Sequence, residues 1–171
     1  MVDRKEIDLQ KVYVKIKNTL GNYVETPDFE AQQILRQIFK ATYNDILIGA
    51  KRTVSVEQMR NLKGIVLRRC DHYPLQYLLG EWDFYGRSFL VGEGVLIPRA
   101  DTEVLVEQAL CFLKPLSTPR VLDLCSGSGC IGLTIALERS DAQVTAVEKS
   151  PVAVSYLLEN NERLGAKVEC L

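Results

Sequence analysis

The sequence predicts an α/β protein in three parts: a helical amino-terminal domain over residues 1–80, a β-hairpin linker over 81–97, and a partial Rossmann-like domain over 98–171. Three observations carry this. The first eighty residues repeat apolar side chains every three or four positions; aromatic and β-branched residues then flank Gly86; and after residue 119 short apolar runs alternate with helical patterns.

Taken in order, residues 6–20 place Leu9, Val12, Tyr13, Ile16 and Leu20 on one face, predicting a helix that stops at Gly21. Thr26-Pro27-Asp28 supplies a capping residue, proline at the first helical position and an acid in the first turn. Ala31, Ile34, Leu35, Ile38 and Phe39 then form an apolar stripe. Tyr43–Ala50 reads as a shorter helical piece, and Ser55-Val56-Glu57-Gln58 as a capping box opening a helix to Cys70. Pro74 restarts a turn, PLQYLLG, closed by Gly80. These stripes read as core rather than as a ligand groove.

Residues 81–97 predict two short strands around a tight turn at Gly86-Arg87. Asp101 or Thr102 is placed to cap a helix carrying Val104, Leu105, Ala109 and Phe112, which Lys114–Pro119 breaks. Strand 120–124, helix 129–138, strand 143–147, helix 151–164 and strand 167–171 follow, the alternation of right-handed parallel βαβ units.

Composition narrows the functional class. The chain is 47% hydrophobic and 25% charged, as for an ordinary globular protein. It has no apolar run of membrane-spanning length and no signal-peptide start, so a cytoplasmic location without membrane association is expected. Cys70, Cys111, Cys125, Cys130 and Cys170 are odd in number and scattered, which fits free thiols rather than a disulfide framework. His72, the single histidine, reads as a loop residue, and no metal site is expected. Residues 1–80 hold 13 basic and 9 acidic groups, and residues 81–171 hold 8 and 13. That mild polarity is explained by a solvated surface, with docking of an acidic or RNA-bearing partner as the lesser reading.

The chemistry concentrates in RVLDLCSGSGCIG, residues 120–132. Gly127-Ser128-Gly129-Cys130-Ile131-Gly132 spells G-x-G-x-x-G, and Glu148 stands 21 residues after Gly127, where it can accept both hydroxyls of an adenosine ribose. A nicotinamide cofactor and S-adenosyl-L-methionine share these features, and Asp123 separates them. A carboxylate beside the helix start opposes a diphosphate but favours a sulfonium and an ammonium. Cys125 and Ser126 also widen the loop. A glycine loop that only turns the chain is the bland alternative.

Pro98-Arg99 with Asp101-Thr102-Glu103 (IPRADTE), then VLVEQAL and VLDLCSGSGCIGL, resembles the HemK/PrmC family, protein-(glutamine-N5) methyltransferases that act on peptide chain release factors. The similarity covers the whole chain, and it implies the first βαβαβ portion of a class I S-adenosylmethionine-dependent methyltransferase fold. It implies that Cys125, Ser126, Gly127, Ser128 and Gly129 wrap the methionine part of the cofactor, that Asp123 lies behind its amino group, and that Glu148 binds the ribose. It places Pro98 and Arg99 at the border of the glutamine pocket; a surface arginine capping a carboxylate is the plainer reading of Arg99. It implies a release factor as protein partner, with a monomeric enzyme and no direct nucleic-acid binding expected. Two positions depart from the family: Ala100 stands where it usually has proline, and Cys125 where it usually has glycine.

The family's Asn-Pro-Pro-Tyr motif has no match in the 171 residues, so no catalytic residue is assigned. The expectation is an amino-terminal part of a longer enzyme, inactive alone, whose first parallel strand is left as an unpaired edge. A methyltransferase on another amide or amino acceptor, such as a nucleic acid base, and a non-catalytic release-factor-binding module are the alternatives. A nicotinamide oxidoreductase follows behind them.

Overall fold

The computed structural model describes residues 4–171, so the first three residues of the expected helical domain lie outside it. Contacts divide the chain into one unit ending at Leu79 and a second from Gly80 to Leu171.

In the first unit, β1 (Arg4–Asp8) precedes α1 (Leu9–Leu20), so the helix starts at Leu9 rather than residue 6. Asp8 ends the strand and caps the helix, its carboxylate accepting from Lys11 N–H at 3.1 Å. β1 pairs antiparallel with β2 (Lys51–Ser55), from Arg4↔Ser55 to Asp8↔Lys51, a two-stranded sheet that periodicity does not predict. Each strand is five residues with one fully buried side chain, Ile7 or Val54, too little for alternation to register.

α2 (Pro27–Phe39) has the expected bounds and buries Ala31, Ile34, Leu35 and Phe39, while Ile38 is half-buried. Thr26 occupies the capping position without making the capping bond; proline and the acids of the first turn open the helix without it. α3 (Tyr43–Leu47) is the short helical piece. α4 (Val56–Cys70) opens with the complete Ser55/Gln58 capping box, and α5 (Leu75–Leu79) is the turn before Gly80. Arg69 of α4 makes a bidentate pair with Glu30 of α2, at 2.6 and 2.9 Å. His72 sits in the turn after α4.

The second unit opens with the hairpin β3 (Glu81–Phe84) and β4 (Arg87–Leu90). Its turn is Tyr85-Gly86 rather than Gly86-Arg87, because Phe84 pairs with Arg87 and both turn residues take positive φ, +50° and +70°. A type I′ two-residue turn, whose twist matches that of the strands, has that sign at both positions. Phe84 and Phe89 are buried edge-to-face, ring centroids 6.0 Å apart, in one core with Val106, Leu133, Ala146 and Leu157. The hairpin thus packs within the second unit.

α6 (Asp101–Leu113) follows. Ala100 holds the capping position and no side chain caps it, so neither Asp101 nor Thr102 does. Val106 and Leu113 are buried and Ala109 packs against the core as expected, whereas Val104, Leu105 and Phe112 are exposed, so the buried face is turned from the expected one. The helix is apolar on more than one side, and spacing alone could not choose between them. Then come β5 (Arg120–Leu124), α7 (Cys130–Glu138), β6 (Gln143–Val147), α8 (Pro151–Leu164) and β7 (Glu169–Cys170), shorter than the expected 167–171. The sheet is parallel, in order β5-β6-β7. This is the βαβαβ portion of a Rossmann-like fold, with β5 at an edge and its Leu122 and Leu124 exposed.

Candidate functional site

The loop from β5 to α7 is shaped by its own backbone. Cys125, Gly127 and Gly129 take positive φ, +59°, +57° and +82°. Two bonds tie the loop to the strand ends: Ser126 N–H donates to the Val147 carbonyl at 3.1 Å, and Ser126 Oγ donates to the Asp123 carbonyl at 2.8 Å. Gly129 N–H donates to the Ser126 carbonyl at 2.8 Å, which closes the turn into α7.

Two carboxylates flank this loop from neighbouring strands, since Asp123 is paired with Ala146 and Glu148 directly follows β6. Asp123 Oδ2 accepts from Gly132 N–H at 2.9 Å. Burial holds its pKa above the ordinary carboxylate range; the Gly132 bond opposes that shift and the charge of Glu148 adds to it. Glu148 Oε1 accepts from Ser150 N–H at 2.9 Å and Oε2 from Gly127 N–H at 2.8 Å. The Ser150 and Gly127 bonds hold its pKa below the ordinary value.

The glycines have separate reasons. A Cβ on Gly132 would stand 2.8 Å from Asp123 Oδ2, and one on Gly129 would stand 2.5 Å from Leu157 Cδ1. Both glycines therefore leave room for the protein's own packing. Gly127 alone has no close neighbour: its nearest contact for a Cβ is Val95 Cγ2 at 3.8 Å.

The predicted site residues are therefore distributed unevenly. Asp123, Ser126, Gly127, Gly129 and Glu148 are joined by the bonds described. Cys125 is exposed on the loop, and Ser128 is buried with its carbonyl accepting from Asn160 Nδ2 at 3.0 Å. Pro98 is buried; the Arg99 side chain is exposed and, among the described residues, caps no carboxylate. From the preceding segment, Val95 Cγ2 stands 3.8 Å from where a Cβ on Gly127 would lie.

With this geometry in view, residues 12–80 match the family model for the PrmC N-terminal domain, and residues 104–170 match Conserved hypothetical protein 95. A release factor glutamine methyltransferase of Fusobacterium nucleatum is 36% identical over 92% of this chain and 45% of its own length. One of Bordetella pertussis is 46% identical over 85% of this chain and 54% of its own. Residues 12–80 thus carry the PrmC N-terminal domain, and most of the chain is similar to release factor glutamine methyltransferases. The chain spans about half the length of these curated relatives. Among solved structures, coclaurine N-methyltransferase bound to N-methylheliamine and S-adenosylhomocysteine matches 95% of the chain and 49% of its own at 18% identity and a TM-score of 0.39, too slight a likeness to bear on the site.

Sequence reasoning missed Val95 and Asn160. Asn160 is fully buried and bonded to both the loop and the hairpin. An asparagine within a helix gave no signal. Glu103 of the IPRADTE segment acts locally, because its Oε1 accepts from Tyr85 N–H at 2.7 Å and so fixes the hairpin turn. Among the described residues no His, Cys, Asp and Glu cluster could hold a metal, and no helix is long and apolar enough to cross a membrane.

Proposed function

We propose that this protein binds S-adenosyl-L-methionine at the loop Cys125–Gly129 and serves transfer of its methyl group to the side-chain nitrogen of a glutamine in a peptide chain release factor. The carrying observation is the pair of carboxylates, Asp123 and Glu148, on either side of a loop held by acidic, hydroxyl and amide side chains and, among the described residues, by no basic one. That donor set suits a ligand with cationic groups and hydroxyls better than a diphosphate. When bound, the cofactor supplies an electrophilic methyl on a sulfonium.

Each chain residue then has a role. Glu148 spends one oxygen on Gly127 and the other on Ser150; a carboxylate has about four acceptor positions, so each oxygen retains one for a ribose hydroxyl. Asp123, anchored through Oδ2, presents negative charge to the amino group of the methionine part. Cys125 to Gly129 wrap that part, with the open backbone at Gly127 nearest it. Pro98 and Arg99 border the acceptor pocket. A glutamine amide nitrogen is a poor nucleophile, so a site serving this reaction must orient it toward the methyl and accept from its NH2.

Isothermal calorimetry of the chain with S-adenosylhomocysteine tests the binding half, and absence of heat at millimolar ligand overturns it. Incubating the full-length protein with labelled donor and a release factor tests the transfer; label on nucleic acid rather than on glutamine refutes the acceptor.

A further inference from the structure

Along one face of α8, Val152, Tyr156 and Asn160 meet the chain between Leu90 and Gly94 in reverse order. A Cβ on Gly94 would stand 2.7 Å from Val152 Cγ1, and one on Gly92 would overlap the Tyr156 hydroxyl. Asn160 Oδ1 accepts from Leu90 N–H at 2.7 Å, and its Nδ2 donates to the Leu90 carbonyl at 3.1 Å. Four residues of helix advance about 6 Å and two of extended chain about 6.5 Å, which matches Asn160 and Tyr156 to Leu90 and Gly92. Past Gly92 the chain turns, Val95 N–H donating to the Gly92 carbonyl at 3.2 Å, and brings Gly94 to Val152. The helix face and the strap therefore stay in step, with glycine wherever a larger side chain on the helix needs room.

Asn160 does more than end this seam. It is fully buried, and its Nδ2 also donates to the Ser128 carbonyl at 3.0 Å. One planar amide thus holds the cofactor loop on one side and both backbone groups of Leu90 on the other. If the Ser128 peptide shifts, the amide follows and Leu90 moves with it; otherwise a buried donor or acceptor loses its partner. Beyond Leu90 the strap brings Val95 Cγ2 to 3.8 Å from where a Cβ on Gly127 would lie and continues to Pro98 and Arg99.

We propose that Asn160 is a positioning residue that couples the loop Cys125–Gly129 to the strap Leu90–Pro98, so that donor binding at the loop sets the acceptor side of the site. This rests on the donor reading of the loop.

Hydrogen exchange by mass spectrometry on the full chain, with and without S-adenosylhomocysteine, tests this for wild type and Asn160→Asp. The substitution keeps the acceptor for Leu90 N–H and removes both donors. In wild type the ligand slows exchange about tenfold in both 123–132 and 88–98. In Asn160→Asp it still slows 123–132, but changes 88–98 less than twofold. Equal slowing of 88–98 in the variant overturns the coupling. So does wild-type slowing confined to 123–132, an arm that decides the matter if the variant does not fold. No binding to wild type overturns the donor reading along with the coupling, and calorimetry distinguishes that failure from the other two.

Discussion

Asp123 is held in the folded chain at a pKa above its unfolded value, so ionising it opposes folding. The sign follows directly: as pH rises from the ordinary value of 3.8 through the raised one, the folded state gives up a proton it bound more tightly, and stability falls. Glu148 runs the other way. Its depressed pKa contributes stability above 4.5 that is lost as pH falls through the lowered value. Asp123→Asn keeps an acceptor for Gly132 N–H, so its unliganded melting temperature at pH 7 should equal or exceed that of wild type. Its affinity for S-adenosylmethionine should fall about 10- to 100-fold, the loss of one charge-assisted contact. Calorimetry and thermal melts check both halves, and wild-type affinity should strengthen as pH rises through the Asp123 transition. Cys125 adds a second residue-scale prediction. A side chain at φ +59° is strained, so Cys125→Gly should stabilise the chain by about 0.5–1 kcal/mol in denaturant melts. Burial pushes the Cys130 thiol up to about 11, so iodoacetamide at pH 8 should label exposed Cys125 well before Cys130.

Local chemistry fixes several elements. The Ser55/Gln58 box opens α4 as the sequence indicates, and Ser55→Ala should cost about 1 kcal/mol of stability, read by urea denaturation. The buried pair between Arg69 and Glu30 is invisible to periodicity because its partners are 39 residues apart. Arg69→Met leaves Glu30 buried and unpaired and should destabilise the first unit by about 3–5 kcal/mol, measured the same way. The elements that the sequence misplaced share a cause. Residues 4–8 become strand because Lys51–Ser55 offers a partner, and α6 buries Val106 rather than Val104 because of what stands beside it. Neither decision is made within a local window of sequence.

At the scale of the whole molecule, binding is read as linkage. A ligand that binds only the folded chain stabilises it by about 2.7 kcal/mol at 100 times its Kd. S-adenosylhomocysteine should therefore raise the melting temperature by several degrees in a concentration-dependent way, whereas NAD should leave it unchanged; differential scanning calorimetry distinguishes them. A shift with NAD alone would revive the dinucleotide reading that Asp123 disfavours.

The sequence by itself determined the succession of helices, hairpin and βαβαβ, and the conjunction of Asp123, a glycine loop and Glu148 on which the proposed site rests. These are written in short-range periods and spacings, which a strand, a turn or a helix must obey wherever it lies. Only the tertiary structure decided that Gly132 makes room for Asp123, that Glu148 holds the loop through the Gly127 amide, and that Asn160 joins loop and hairpin. Those contacts join residues 9, 21 and 32 positions apart, and a buried polar group finds its partner only once packing has removed water as the alternative.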